Sequence, residues 1–419
     1  MPKIKERSRM NLGMILNAPY PPDMRVKKET DALIKAGFRI HLLCLRRKHD
    51  AYEEEINGLK ISRIDAGRNN YQLAFWDSVI ALTFKHPRFM KAMPDWIKKN
   101  NISVLHVHDL PLAGTALALR KKIPLQIVVD LHENYPEALR TWFEWKKGLI
   151  VKWKNKLFMN PDRWTKHERT AVLESDYVIA VVEEMKKRLI QTHHAAPDKI
   201  VIVSNTEDKS FLHQPIDPSV YENFENKFRI VYSGGIGPHR GVDTAIEAMH
   251  YLKAYPDIEL IIIGSGSRDV IRHLQNVTKA AEVEDHVHFL GYQPFDKFYS
   301  FMHLADVNII PHKSNEHTDN TIPHKLFQSM MSGRPLLVSS SHPLKRVVNA
   351  TSSGLVFNAN NPQDFAAKIL LLYQDKDLCN TLGNNGKRAT ANGTLNWDAE
   401  QIILVDFYKR IFNAVKHAV

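Results

Sequence analysis

Short apolar runs alternate with segments of helical periodicity along the chain. The first half contains the runs NLGMILNA, FRIHLLCL, VLHVHDL, LQIVVDLHE, YVIAVV and KIVIVSN, and the second half contains FRIVYSGG, IELIIIGSG, VHFLGY, VNIIPH, PLLVSS and GLVFN. Strands that are apolar throughout and separated by helices are typical of parallel sheets covered on both faces. The pattern therefore predicts an α/β protein with two Rossmann-like, doubly wound domains.

A polar segment with two prolines interrupts this alternation. We place a linker there, at residues 209–227, between an N-terminal domain at residues 1–208 and a C-terminal domain at residues 228–396. Two domains also agree with the length of 419 residues, which is more than one hydrophobic core usually supports. Residues 397–419 have the periodicity of a long amphipathic helix.

Charge and cysteine content restrict the class of protein. The formal net charge of +11 favours anionic partners, although a merely basic, solvated surface is the alternative. No nucleic acid is expected, because no recognised binding module accompanies the charge. The two cysteines, Cys44 and Cys379, lie far apart and form no disulfide framework, which favours the cytoplasm. No apolar run reaches the roughly 18 residues that a membrane span needs.

Two loop-to-helix segments in the second half have the chemistry of anion sites. In YSGGIGPHRGVDTAIEAM, Gly234, Gly235 and Gly237 permit close backbone approach and Arg240 adds a cation, although tight packing alone would also explain the glycines. In IPHKLFQSMMSGRPLLVS, Lys325 lies in the first turn of a predicted helix, where the helix dipole also favours an anion. Together they suit a diphosphate.

Seven segments in order resemble the retaining GT-B glycosyltransferases of glycosyltransferase family 4. They are PDMRVKKETDALIKAGFRI, VVDLHENYPE, IVSNTED, YSGGIGPHRGVDTAIEAM, IIIGSGS, VHFLGY and IPHKLFQSMMSGRPLLVS. The resemblance implies two domains facing across a cleft and a terminal helix that crosses back to the N-terminal domain. It also implies a retaining, metal-independent hexosyltransferase that uses a UDP- or GDP-linked sugar and no further cofactor.

Site residues follow from the resemblance by position. Arg240 matches the family's phosphate-binding lysine, Lys325 the basic residue beside the donor, and His132 the histidine near the transferred sugar. The donor-binding residues so expected are Gly234, Gly235, Gly237, Arg240, Gly264, Leu290, Tyr292, Lys325 and Leu326. The catalytic group comprises His132, Asn320 and Gln328, and the acceptor side comprises Asp23, Arg25, Asp109, Glu133 and Glu137.

The sequence departs from the family pattern at three of its positions. An arginine is common in the family where Gly235 stands, and two glutamates are common where Asn320 and Gln328 stand. An amide can both accept and donate hydrogen bonds, whereas a carboxylate only accepts them. Glu316 is a nearby substitute candidate, although an exposed loop glutamate needs no such role.

Several N-terminal residues have simpler explanations. His132 could be an ordinary loop histidine, Glu137 could only stabilise a helix dipole, and Asp23 could be a helix N-cap as well as an acceptor contact. His106 and His108 point to the same face of a strand that ends at Asp109, but no further ligand cluster is evident in the sequence. We therefore expect no metal there.

Residues 140–169 combine tryptophans with positive charge. They contain four of the seven tryptophans and nine lysines or arginines against three acidic residues. Trp142, Trp145, Leu149, Trp153 and Leu157 recur every three or four positions, which fits an interfacial helix on anionic lipid. A helix packed on the N-terminal domain is the alternative. A membrane contact at the inner face of the cytoplasmic membrane would suit a lipid-linked or polysaccharide acceptor.

Three functions remain open at this point. The first is a glycosyltransferase in polysaccharide or glycoconjugate assembly. The second is a nucleotide-sugar epimerase of the same fold, and the third is a catalytically weak nucleotide-sugar-binding subunit, suggested by Gly235 and Gln328.

Overall fold

The fold is known from a computed structural model, which describes residues 10–65, 70–142 and 159–417. These residues form two compact units. The first contains the described residues up to Leu139, residues 159–204 and residues 401–417. The second contains residues 140–142 and 205–400.

The first unit is built on an eight-stranded sheet with the order β3-β4-β2-β1-β5-β6-β7-β8. Its strands are β1 (Asn11–Pro19), β2 (Arg39–Leu45), β3 (Glu53–Ile56), β4 (Leu59–Ile64), β5 (Val104–His108), β6 (Gln126–Leu131), β7 (Tyr177–Ala180) and β8 (Ile200–Ile202). Its helices are α1 (Met24–Lys35), α2 (Asn70–Thr83), α3 (Pro87–Lys99), α4 (Ala113–Arg120), α5 (Tyr135–Trp142), α6 (Pro161–Glu174) and α7 (Glu183–His193). All neighbouring strands are parallel except β3 and β4.

The second unit contains a six-stranded parallel sheet with the order β11-β10-β9-β12-β13-β14. Its strands are β9 (Phe228–Ser233), β10 (Ile258–Ile263), β11 (Val287–Gly291), β12 (Val307–Ile310), β13 (Leu336–Ser339) and β14 (Gly354–Phe357). Its helices are α8 (Val242–Met249), α9 (Arg268–Ala280), α10 (Phe298–His303), α11 (Lys325–Met331), α12 (His342–Thr351), α13 (Pro362–Gln374) and α14 (Lys376–Ala391).

The apolar runs correspond to the strands, so the prediction of two doubly wound sheets is confirmed. The strands are buried on both faces because helices cover both sides, as the six consecutive buried residues of β10 illustrate. The sequence analysis missed the antiparallel hairpin β3–β4. Its turn is Asn57-Gly58 with positive φ angles of 50° and 85°, and Asn-Gly is a strong local signal for such a turn.

In each sheet the strand order reverses at one point, between β1 and β5 in the first and between β9 and β12 in the second. Ligands of doubly wound sheets bind at the carboxyl ends of the strands at this switch point. The loops after these strands are therefore where each unit offers a site.

The residues predicted as a linker are packed against the second unit. They form two short 3₁₀ segments, Lys209–His213 and Pro218–Phe224, and bury Tyr221 and Phe224 beside Val231 of β9. The polar composition of residues 209–227 gave no sign of these aromatic contacts.

The last helix, α15 (Trp397–His417), runs into the first unit from residue 401 onward. Phe407 is 4% exposed and meets the ring of Tyr177 edge to face at 5.6 Å. Tyr408 is fully buried and reaches β5. The C-terminal segment is therefore part of the N-terminal core.

Replacing Phe407 by alanine should destabilise the first unit by about 3–5 kcal/mol, because it removes a buried aromatic ring. Ile402→Ala is the matched control, since Ile402 lies on the same helix but is 61% exposed, and it should cost less than about 0.5 kcal/mol. Denaturant unfolding of both variants checks this. Equal losses would mean that α15 contributes nothing to the core through Phe407.

Candidate functional site

Two glycine loops meet at the switch point of the second sheet. Gly234 follows β9 with a φ of +123°, and Gly264 follows β10 with a φ of +137°. A Cβ atom on Gly264 would overlap the backbone of Gly234. Only glycine permits this approach at these angles. The two loops therefore form one continuous backbone surface at the end of the sheet.

Lys325, at the start of α11, lies directly beside this surface. Its Nζ is 3.8 Å from where a Cβ of Gly234 would lie, and 3.7 Å from the centre of the Tyr232 ring. Part of its stem is exposed, but the nitrogen itself is buried and has no hydrogen-bond partner among the described residues. Burial, reinforced by Arg240, lowers the pKa of this amine well below its usual value. The Tyr232 ring is the contact that partly compensates the charge.

Further cations and histidines surround Lys325. The guanidinium of Arg240 lies 3.1 Å from Nε2 of His312, which is buried in the loop after β12. Burial and the Arg240 charge lower the pKa of His239 to about 2 and hold that of His312 well below its usual range. These imidazoles stay neutral, because another positive charge here would be repelled. The end of the second sheet therefore brings Lys325 and Arg240 together among histidines that stay neutral.

Gln328 does not face this site as a free side chain. Its Nε2 donates to Oε2 of Glu207 at 2.7 Å, and Nε2 of His324 lies 3.1 Å from the same oxygen. Gln328 and Glu207 are both buried. Glu207 lies in the segment IVSNTED of the resemblance, but the sequence gives no sign of its contact with Gln328, because the two residues are 121 positions apart.

The remaining expected donor-side residues differ in how they are placed. Gly235 is exposed and a Cβ there would meet nothing within 4 Å, so the position of the family's arginine opens into free space. Asn320 is buried and donates to the backbone oxygen of Glu316 at 2.8 Å. Tyr292 is 76% exposed after β11, whereas Leu326 is completely buried.

Three donor-side residues have environments of their own. A Cβ on Gly237 would lie 3.2 Å from the His239 ring, and Leu290 is half-buried, with its oxygen accepting from Gln293 at 3.0 Å. The backbone nitrogen of Leu326 donates to Pro323 at 3.0 Å. Whether these residues contact a donor stays a prediction.

A second cluster of polar side chains lies at the switch point of the first sheet. His106 and His108 come from β5, Asp130 ends β6, His132 follows it, and Glu29 comes from α1. Glu29, His108, Asp130 and His132 each bring a nitrogen or oxygen within 4.8 Å of the others. The sequence shows no further ligand groups near the histidines of β5, but the structure brings such groups to them. The expectation that no metal binds there stays a prediction. Helix α1 and strand β6, distant in sequence, supply the missing groups.

Asp130 is the centre of this cluster. Its Oδ2 lies 2.8 Å from Nε2 of His132 and 3.4 Å from Nε2 of His106. Burial opposes ionisation of the carboxyl, but the two histidines outweigh it and hold its pKa far below the usual value. The pKa of Glu29 is raised, by burial and by the Asp130 charge. The Asp130 carboxylate and the His132 imidazole therefore form a close pair at the centre of the cluster.

The expected acceptor-side residues flank this cluster. Asp23 is the N-cap of α1, with Oδ1 accepting from the backbone of Arg25 at 3.0 Å and of Val26 at 3.3 Å, so the cap prediction is confirmed. Arg25 Nη2 also lies 3.9 Å from Oδ2 of Asp109. Asp109 follows β5 with a positive φ of 63°.

Glu133 and Glu137 belong to the loop after β6 and the first turn of α5, and both are half-buried. A carboxylate in the first turn suits the helix dipole. Whether either side chain contacts an acceptor stays a prediction.

The tryptophan-rich segment falls largely outside the described residues, which do not include 143–158. Trp142 is 37% exposed, whereas Trp164 is buried beside Phe84 at a ring distance of 5.1 Å. Trp164 therefore belongs to the core. Nowhere in residues 10–65, 70–142 and 159–417 does a helix have the length and apolar character needed to cross a membrane.

Two family models match consecutive parts of the chain. The model described as Glycosyltransferase Family 4 covers residues 25–210, and the one described as Glycosyl transferases group 1 covers residues 214–389. The chain is a GT-B glycosyltransferase of the family 4 type. Both clusters described above lie within the matched parts.

Relatives and solved structures agree with this assignment. An uncharacterized glycosyltransferase, MJ1178 of Methanocaldococcus jannaschii, is 24% identical over 292 residues, 70% of this chain and 71% of that protein. Sucrose-phosphate synthase from Thermosynechococcus elongatus has a TM-score of 0.76 at 16% identity and covers 97% of this chain and 100% of its own. Anabaena Alr3699/HepE in complex with UDP has a TM-score of 0.66 at 12% identity, covering 97% and 100%. The structural likeness shows the GT-B fold.

Gln328→Glu should destabilise this glycosyltransferase, because it replaces the donor to Glu207 with a second buried carboxylate. Two adjacent carboxylates share a proton, so the new group has a raised pKa in the folded state. The loss, about 1–3 kcal/mol at pH 8, should therefore shrink as the pH falls towards 5. Denaturant unfolding at both pH values measures it.

Gln328→Met is the matched control, because it removes the amide without adding charge. Its effect should not depend on pH between 5 and 8. A Gln328→Glu variant as stable as the original at pH 8 would contradict the contact between Gln328 and Glu207.

Proposed function

We propose that this chain is a retaining, metal-independent glycosyltransferase that uses a UDP- or GDP-linked sugar. The observation that carries the proposal is the Lys325 side-chain nitrogen, buried at the end of the second sheet without a hydrogen-bond partner among the described residues. The charged form of a buried amine is costly unless an opposite charge is near. Such a group is expected where a bound anion stabilises the charged form.

A diphosphate fits the surroundings of Lys325 better than a single carboxylate would. Lys325 and Arg240 provide two cations, and the paired loops at Gly234 and Gly264 leave backbone free of side chains for close approach. In this proposal the cations and backbone dipoles take the role that a divalent metal has at other diphosphate sites. The UDP complex of Anabaena Alr3699/HepE supports a nucleotide diphosphate as the ligand class.

The proposed reaction balances without a further cofactor. The bond between the anomeric carbon and the diphosphate oxygen breaks, a bond to the acceptor oxygen forms, and the acceptor's hydroxyl proton passes to the departing diphosphate. Negative charge grows on the leaving group, so fixed cations stabilise the transition state more than the ground state. Attack on the face that the leaving group vacates would retain configuration, and we assign no covalent nucleophile.

For the acceptor we propose a hydroxyl of a glycan or lipid-linked intermediate, handled at the cytoplasmic face of a membrane. The supporting feature is the basic, tryptophan-rich segment at residues 140–169, a composition suited to anionic lipid. The N-terminal unit would hold this acceptor near Asp109, Arg25 and His132.

A nucleotide-sugar-binding subunit without efficient catalysis is the second candidate. It is favoured by Gln328, whose amide is engaged by Glu207, and by the open space at Gly235. Turnover distinguishes the two: slow hydrolysis of a nucleotide sugar by the purified protein would exclude the non-catalytic alternative.

A thermal-shift panel of UDP, GDP and ADP tests the donor site. A ligand at about 100 times its Kd should stabilise the protein by about 2.7 kcal/mol, or several degrees. Lys325→Met should abolish this shift, and it should also leave the empty protein at least as stable as the original, because it removes a buried amine that has no hydrogen-bond partner among the described residues.

Lys345→Met is the matched control, since Lys345 is an exposed lysine on α12. This variant should keep both the shift and the stability of the original chain. If no nucleoside diphosphate raises the melting temperature, or if Lys325→Met keeps the full shift, the proposed donor site is wrong.

A further inference from the structure

The buried cluster of the first unit is connected from the last helix to the loop after β6. Tyr408 of α15 places its hydroxyl in hydrogen-bond contact with Nδ1 of His106 on β5. Nε2 of His106 lies 3.4 Å from Oδ2 of Asp130, whose same oxygen lies 2.8 Å from Nε2 of His132. One carboxylate oxygen thus lies close to two imidazoles, and His106 is in turn contacted by Tyr408 of the C-terminal helix.

The side chains of this cluster differ in how exposed they are. Tyr408 and His106 are completely buried and Asp130 is 1% exposed, whereas the side chain of His132 is 8% exposed. Exposure therefore increases towards His132, which follows the strand end. With Nε2 directed at Asp130, Nδ1 is the other ring nitrogen, and this atom is buried without a hydrogen-bond partner among the described residues.

We propose that Asp130 is a positioning residue that acts through His132, fixing its ring with Nε2 towards the carboxylate, so that Nδ1–H is the hydrogen-bond donor offered to the reacting sugar. The inference concerns the proposed transfer reaction and rests on it for the identity of the ligand. His106 and Tyr408 belong to the same cluster. Nε2 of His106 lies 3.4 Å from Oδ2 of Asp130 and 3.2 Å from Nδ1 of His108, and the Tyr408 hydroxyl contacts the other ring nitrogen of His106.

Charged and titratable groups from several elements surround His132. Arg25 on α1 opposes its protonation, whereas Asp130 on β6 and Asp109 after β5 favour it. Glu29 on α1 and His108 on β5 also interact electrostatically with His132, and His106 on β5 lies beside the same Asp130 carboxylate. Burial would lower the pKa of His132, but Asp130 outweighs burial and the pKa rises to about 9. His132 is therefore an imidazolium at neutral pH.

A charged imidazole in a fixed orientation can donate a hydrogen bond to a sugar hydroxyl and hold it in place while negative charge accumulates on the leaving group. A neutral His132 could adopt either tautomer and would lose this orientation. The Asp130 carboxylate favours the form of His132 in which both ring nitrogens are protonated, and this form has no alternative tautomer. Removing the Asp130 carboxylate should therefore slow the chemical step and shift the pH profile of the activity. The affinity for the nucleotide sugar should be retained.

The direct test is a histidine NMR titration of the full-length protein labelled at the imidazole carbons, with His132 assigned from the spectrum of His132→Gln. In the original chain His132 should titrate near pH 9. In Asp130→Asn its pKa should fall by more than about one unit, a tenfold change in proton affinity, and Tyr408→Phe should lower it by a smaller amount. Glu168→Gln is the matched control, because Glu168 is also a buried carboxylate that pairs with a histidine, His193, at 2.7 Å in the same unit.

The other histidine resonances report whether each variant remains folded. If Asp130→Asn does not fold, the original chain and Tyr408→Phe still decide the matter. A His132 that titrates near 6.5 in the original chain, an unchanged value in a folded Asp130→Asn variant, or an equal shift in Glu168→Gln would overturn the proposal.

Kinetics distinguish positioning from simple structural support. With a nucleotide sugar that the protein turns over, Asp130→Asn should lower kcat by about 10- to 100-fold, leave the donor KM unchanged and move the alkaline decline of activity to lower pH. Loss of activity with an unmoved pH profile would indicate a structural role only and contradict the proposal. Absence of any turnover by the original chain would instead refute the proposed function, while the NMR result would stand.

Discussion

A lysine amine buried without a counter-ion is the constraint around which the proposed donor site is organised. Lys325 lies under the Gly234 loop, with Arg240 close enough to depress its pKa and the face of the Tyr232 ring 3.7 Å away. In our proposal a bound anion favours the charged form of this amine, so the site is preorganised for electrostatic stabilisation of a leaving group.

The two units have different charge arrangements at the switch points of their sheets. At the end of the second sheet positive charge is left uncompensated, and the neighbouring imidazoles are kept neutral. At the end of the first sheet the Asp130 carboxylate is met by imidazoles of the chain itself, and His132 is kept charged. We propose that the arrangement in the second unit binds an anionic ligand. We propose that the arrangement in the first unit orients the hydrogen-bond donor His132. Both use the switch point, because strand ends there leave space for loops from both sides.

The sequence predicted most of the fold and only part of the candidate site. Twelve strands follow from continuous apolar runs, and Lys325 and Arg240 from loop chemistry next to helix starts. The β3–β4 hairpin carries its own Asn-Gly signal, which was overlooked. Other features have no local signal. The contact of Gln328 with Glu207 joins residues 121 positions apart, and that of His106 with Tyr408 joins residues 302 positions apart. Such pairs arise from tertiary packing, which periodicity and spacing do not encode.

The central claim is that the Lys325 charge is completed by a diphosphate. It is tested most directly by measuring the pKa of the Lys325 amine by NMR, with the side chain labelled at the carbon next to the amine and assigned from Lys325→Met. In the empty protein this pKa should lie well below that of an exposed lysine, and saturation with the nucleoside diphosphate should raise it, because the bound anion favours the ammonium form. A Lys325 amine whose pKa is ordinary in the empty protein, or does not move when the diphosphate is bound, would contradict the account.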